Sequence, residues 1–241
     1  MPVSPVELAI ALAVTAIGAA VQGTVGMGFA VVSVPILSLV NPLLAPVPQL
    51  LMAMPLSVSM AWRERAHIER RGVIWLALGR FPGAAIGITL LVVATKRTLD
   101  LGIALSVLVA VVILGAGITI PRNSVTEFGT GVISGVTGMI ASIGGPPAAL
   151  LFKDAGGPTV RSTLAAFFTF GLTITMVTRI AAGRITGDDV ILAMLLFPGL
   201  IAGYAASSRL RHRVDGPTVK RAILVVSTIA AVGLLIRALF G

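Results

Sequence analysis

The sequence predicts an all-α polytopic membrane protein made of two inverted repeats, each a broken or re-entrant helical hairpin plus three transmembrane helices. Three observations carry that prediction. Of the 241 residues, 56% are hydrophobic and 11% charged, with a mean hydropathy of +1.04, whereas soluble domains carry about 25% charged residues. Apolar stretches of roughly 20 residues recur, the length at which a helix crosses the hydrocarbon core. Two such stretches are interrupted in the same way: "GTVGMGFAVVSVP" from Gly23 and "GVTGMIASIGGPP" from Gly135 each open G-x-x-G-M and reach a proline, Pro35 or Pro147, twelve residues on.

The apolar segments fall at 6–40 (interrupted), 47–62, 72–95, 99–120, 127–152 (interrupted), 159–178, 189–208 and 217–240. Capping boxes open both interrupted segments, Ser4-Pro5-Val6-Glu7 and Ser124-Val125-Thr126-Glu127, in which the serine caps the helix and the glutamate reaches back to the cap N–H. The second arm of the first hairpin, Gly28–Val40, has some 13 residues and reaches only about 20 Å, which predicts a half-helix. The loop "RERAHIERR" (63–71) and the loop 209–221 hold most of the arginines, with Trp62, Trp75 and Tyr204 beside them as interfacial aromatics. The positive-inside rule places both loops in the cytoplasm. Alternating outward from them puts 12 of the 18 Lys/Arg inside, leaves Lys96, Arg97, Arg179, Arg184 and Arg237 outside, and brings each hairpin back to the side it left. The N- and C-termini are then outside. No basic n-region precedes the first apolar run, so no cleavable signal peptide is expected.

The halves align. At an offset of 112, Gly23, Gly26, Met27, Pro35, Pro46 and Gln49 match Gly135, Gly138, Met139, Pro147, Pro158 and Arg161. At 116, "FPGAAIG" (81–87) matches "FPGLIAG" (197–203), so four extra residues lie between Ala165 and Met176. The repeats are 1–120 and 121–241, together one integral membrane domain. Each has three crossings, an odd number, so the second enters from the opposite face, a signature of secondary transporters with broken helices that bind substrate near the midplane.

Irregular backbone at membrane depth persists only when it is buried in protein or lines a cavity. A half-helix beginning there turns free N–H groups toward the gap, which suits an anion. Packing by small residues is the competing use of a lone G-x-x-G; its repetition with prolines, Gly144-Gly145-Pro146-Pro147 in the second copy, favours a ligand-lining break. The polar candidates near the breaks are Gln22, Thr24, Thr137 and Ser142; for each, a bond back to its own helix or to a neighbouring helix competes with a ligand contact, and Gln22 and Ser142 are taken into the site. Arg161 is either a substrate contact or an ordinary edge arginine. Arg80 is expected to snorkel toward the inner surface; otherwise it lines the path.

Cysteine is absent and the two histidines, His67 and His212, sit in arginine-rich loops. Thiol chemistry is therefore excluded, and neither a histidine metal site nor a cofactor is expected. No Asp or Glu lies deep in a crossing segment, so neither an acidic cation site nor a buried proton relay is visible. There is no H-E-x-x-H, Walker A or paired-carboxylate pattern, and the protein is read as not an enzyme. The formal charge of +9 follows from the loop bias, so no nucleic-acid partner is expected; the lipid bilayer and a small anion are. A homodimer is left open.

Gly23-Thr24-Val25-Gly26-Met27-Gly28-Phe29 with Pro35, and Gly135-Val136-Thr137-Gly138 with Gly144-Gly145-Pro146-Pro147, resemble the paired glycine-rich segments of the sulfite exporter TauE/SafE family of bacterial membrane transporters. The resemblance covers essentially the whole chain, although Gly26-Met27-Gly28-Phe29 departs from a typical G-x-G-G-G run. It implies transport of sulfur-containing anions, such as sulfite, sulfoacetate or related organosulfonates, across the cytoplasmic membrane. The expected substrate-binding set is Gln22, Gly23, Gly26, Met27, Gly28 and Gln49 from the first half, and Gly138, Ser142, Gly144, Gly145, Pro146 and Arg161 from the second. A permease of the same architecture for a cation or neutral metabolite, and a non-transporting membrane protein, are the alternatives.

Overall fold

The structure, a computed structural model, describes residues 3–115, 120–152, 154–210 and 216–240. Lys153, Arg211 and Arg213 of the expected basic loops, and the side chains of Lys220 and Arg221, lie outside the described residues. Ten α-helices and no strand are found among them. The first half holds α1 (Pro5–Val25), α2 (Phe29–Val40), α3 (Val47–Arg63), α4 (Arg70–Val93) and α5 (Lys96–Gly115). The second holds α6 (Ser124–Ala141), α7 (Gly145–Leu151), α8 (Gly157–Ala181), α9 (Gly187–Leu210) and α10 (Gly216–Phe240). Among the described residues, α1, α3 with its preceding turn, α4, α8 and α9 are long and apolar enough to cross a membrane. This is a multi-pass membrane protein.

Both hairpins break, by different means. Ser4 starts α1 as expected: its hydroxyl accepts from the Glu7 N–H at 3.2 Å and its own N–H donates to Glu7 at 2.7 Å. The helix stops at Gly26, whose φ of 100° is left-handed, a conformation that glycine enters without a Cβ penalty. Three residues later, at Phe29, α2 begins. It runs back until Asn41 bonds Glu7 at the start of α1. Pro35 sits inside α2 and does not end it.

The second copy corrects two expectations. Asn123, not Ser124, caps α6, accepting from the Val125 and Thr126 N–H groups, with Thr126 completing the box. Asparagine caps as well as serine does, and it stands one residue earlier. Glu127 is thereby free to bond Arg122 at 2.9 Å. The break also comes later than the aligned motif: α6 runs through Gly138 and Met139 and ends one turn on, at Ser142, which has φ 58°. Pro146 and Pro147 then occupy the first turn of α7, where a missing N–H costs nothing.

Contacts fix the helix directions. Arg63, at the end of α3, donates to the Gly23 carbonyl near the end of α1. Glu69, before α4, bonds Arg122, before α6. So α1 ends where α6 begins, and the two helices run oppositely. The extensive pairings cross between the halves: α4 on α6, α1 on α9, α3 on α8 and α5 on α10. Glycines set the first two. Gly79 and Gly83 of α4 lie on the Phe128 and Val132 carbonyls, and Gly203 of α9 lies on the Ala16 carbonyl, so closely that a Cβ at any of them would overlap the facing backbone. Small residues that let backbones touch are the common glue of membrane helices. The twin motifs "FPGAAIG" and "FPGLIAG" thus place glycines at these two seams.

Candidate functional site

The two breaks face one another. Gly145, opening α7, is positioned so that a Cβ would stand 3.7 Å from Met27 in the first break and 3.1 Å from Phe168 of α8. Between them lies a cavity of about 40 Å³ lined by Gln22, Met27, Gly28 and the first turn of α2 on one side, and Ser142, Ile143, Gly144 and Gly145 on the other. Ala53 and Ser57 of α3, Arg80 of α4, and Phe168 and Leu172 of α8 complete it. A single water needs about 10–15 Å³ by this kind of measure, so the space fits a few waters or one compact ion.

Arg80 dominates the cavity chemically. It is 2% exposed, which corrects the expectation that it snorkels. The rotation of α4 explains the difference: Gly79 and Gly83, its neighbours on the helix, are pressed to α6 and turn the arginine inward. Its Nη1 donates to Ser134 at 2.7 Å and its Nη2 to Thr175 at 3.3 Å. The guanidinium lies 5.5 Å from the centre of the Phe167 ring. It fits because three neighbours have no side chain: a Cβ at Gly138, Gly171 or Gly144 would come within 2.5, 2.5 or 2.7 Å of it. Ser134 passes the contact on by donating to the Gly144 carbonyl at 2.6 Å, tying the charge to the second break. The Nε has no partner. Among the described residues no carboxylate forms an ion pair with Arg80.

On the other side, Gln22 accepts from the Phe29 N–H at 3.2 Å, so its side chain holds the start of α2 across the break. The next N–H groups of α2, on Ala30 and Val31, have no intrahelical partner, and both residues line the cavity. Ser57 is fully buried and its hydroxyl has no partner.

Of the sequence-expected residues, Gln22, Met27, Gly28, Ser142, Gly144 and Gly145 meet at this cavity, and Gly138 makes room for Arg80 beside it. Gly23 packs on Ser207, and Pro146 is buried in α7. Gln49 is buried, donating weakly to the Leu44 carbonyl at 3.4 Å. Arg161 is engaged by Glu64 through three bonds of 2.9–3.1 Å, with Gly26 packed on its backbone. Thr24 and Thr137 bond back to Ala20 and Ile133.

Sequence reasoning missed Ser57, Ser134 and Arg179. Arg179, counted among the outer-loop cations, is 2% exposed and donates to the Met139 and Ile140 carbonyls. Those are among the last carbonyls of α6, which no further turn satisfies, and a cation there also suits the helix dipole.

A band of ion pairs lies at the end holding the loop 63–71. Glu64 binds Arg161 and Glu69 binds Arg122, and the Glu69 N–H donates to Thr163 of α8 at 3.0 Å. Partial burial lowers the Arg122 pKa, but its bonds to Glu69 and Glu127 outweigh that and hold it above its ordinary value. At the opposite end Arg237 joins Asp100 at 3.3 Å.

The family model described as Sulfite exporter TauE/SafE covers residues 10–234. Neither a curated protein nor a solved structure matches the chain.

Proposed function

Because the chain belongs to the sulfite exporter TauE/SafE family, a family of membrane transporters for sulfur anions, we propose that it is a secondary transporter of small sulfur-containing anions, sulfite or compact organosulfonates, with the anion held in the cavity between the two helix breaks. One observation carries this reading: a guanidinium, that of Arg80, faces the cavity 2% exposed and without a carboxylate ion-pair partner among the described residues. An unpaired charge held away from water costs several kcal/mol, and an anion in the cavity offsets it. The Ala30 and Val31 N–H groups of α2 and the Arg80 Nε are donors without acceptors, as an oxyanion requires. A cation in the same place would meet like charge. The alternative of a cation permease therefore has the electrostatics against it.

The arrangement also supports inverted repeats. Exchanging the halves turns the α4–α6 pairing into α9–α1, the α4–α8 pairing into α9–α3, and the α10–α2 pairing into α5–α7. The glycine seams lie between halves, so the bodies that move in alternating access are not the two repeats. We assign one to α4 with α6 and the other to α1 with α9. Each carries one break, and the Glu64–Arg161 and Glu69–Arg122 pairs latch one mouth of the cavity.

The test is flux in liposomes reconstituted with the purified protein. Saturable uptake of labelled sulfite or methanesulfonate is expected. Arg80→Gln should lower it by at least tenfold, and Gly145→Leu, which fills the cavity, should abolish it. Absence of uptake by the wild-type protein, or full uptake by Arg80→Gln, overturns the reading.

A further inference from the structure

We propose that the cavity accepts its anion only as a singly charged oxyanion, and that the Ser57 hydroxyl binds it directly; this rests on the anion-transport reading above. The argument is one of charge and of donors. Arg80 is the one ionised side chain among the residues that line the cavity. The two broken segments add no charge, since neither α2 (FAVVSVPILSLV) nor α7 (GPPAALL) contains an ionisable residue. The charged groups of the surrounding helices are engaged elsewhere. From α1, Glu7 bonds Ser4 and Asn41. From α3, Arg63 is held at the Gly23 carbonyl and over the Tyr204 ring. From α6, Glu127 is bound to Arg122. From α8, Arg161 is paired with Glu64, and Arg179 caps α6. On α4 itself, Arg71 bonds Ser124 near the loop end.

A monoanion therefore brings the buried site to neutrality, whereas a dianion leaves an uncompensated negative charge in a medium that solvates it poorly. The residues that line the cavity include no second cation to correct it. Nor does a lining carboxylate offer to hold a proton for the substrate, so the protonation state is the one the anion brings with it. The volume of about 40 Å³ favours a compact XO3-type headgroup over a bulky one.

Ser57 supplies what Arg80 and α2 leave unfilled. It stands on α3, outside both broken hairpins, and its buried hydroxyl is without a partner. A hydroxyl both donates and accepts. It can donate to a sulfonate oxygen, or accept a hydrogen bond from the O–H of hydrogensulfite, which keeps its proton.

The experiment compares two labelled probes in the same proteoliposomes as external pH rises from mildly acidic to mildly alkaline. Methanesulfonate stays a monoanion throughout, while sulfite passes from hydrogensulfite to the dianion. The sulfite-to-methanesulfonate uptake ratio is expected to fall in step with the hydrogensulfite fraction. Ser57→Ala is expected to raise the half-saturating concentration of both probes roughly 10- to 100-fold, the loss typical of a hydrogen bond to a charged group, without changing the pH trend of the ratio. A ratio that stays constant or rises overturns the charge preference, and half-saturation unchanged in Ser57→Ala overturns the role of the serine. Those failures leave sulfite flux in place, whereas absence of flux of either probe overturns the transport reading together with this inference.

Discussion

At the level of single residues, the charge of Arg80 depends on atoms that are missing from its neighbours. Gly138, Gly144 and Gly171 leave the slot in which the guanidinium lies, and Ser134 and Thr175 fix its two ends. Gly171→Ala is therefore expected to displace a flexible side chain and not the backbone. The half-saturating anion concentration should rise roughly tenfold, as for a weakened bond to a charged group, while thermal unfolding in detergent stays close to wild type. An unchanged half-saturation would show that the slot does not position the charge. The arginine was visible in the sequence as a charge within a segment, but its direction was not. Snorkelling and burial differ by the rotation of α4, and that rotation is set by contacts with α6 and α8, helices distant in sequence. Gln22, Ser142 and the glycines of the breaks were recognisable because backbone irregularity in an apolar run is a local property. Ser57 and Ser134 look like any small residue of a membrane helix until the partners around them are known.

At the level of helices, the segment boundaries expected from hydropathy and charge hold to within a few residues, and the half-helix expected over Gly28–Val40 is α2. The G-x-x-G-M repeat is less uniform in structure than in sequence. The first copy is the break, whereas the second is the last turn before one. Ser142 takes a left-handed conformation that a non-glycine residue adopts at a cost of about 1–3 kcal/mol, and the Gly144-Gly145-Pro146-Pro147 run then allows α7 to restart. The seams give an element-scale prediction. Gly203→Leu should force α9 off the Ala16 carbonyl of α1 and cost about 1–3 kcal/mol as overpacking. Gly129→Leu, at a position with nothing within 4 Å, should leave thermal stability unchanged. Equal melting of the two variants in detergent would show that the seam carries no packing load.

At the level of the whole molecule, loop charge and alternation led to a two-ended arrangement. The structure gathers Arg63, Glu64, Glu69, Arg122 and Arg161 at one end, and Asp100 and Arg237 at the other. We assign the first end to the cytoplasm on the positive-inside rule. The chain has no cysteine, so a single Leu43→Cys, at a position 48% exposed, should react with a membrane-impermeant maleimide from outside intact cells. Labelling only after the cytoplasm is opened would reverse the map. Helix order could be read because it follows from counting along one chain. Which helices embrace could not, because the glycines of "FPGAAIG" and "FPGLIAG" do not name the surfaces they meet. Those surfaces have a bearing on descent. Neither half closes its own seam: α4 finds its groove on α6, and α9 finds its groove on α1. A gene of half this length would have encoded a polypeptide with a bare glycine stripe, quenched only by a sister copy lying upside down beside it. On the inverted-repeat reading, fusion of the two genes joined an assembly that already existed, and the tether between the halves records a partnership older than the single chain.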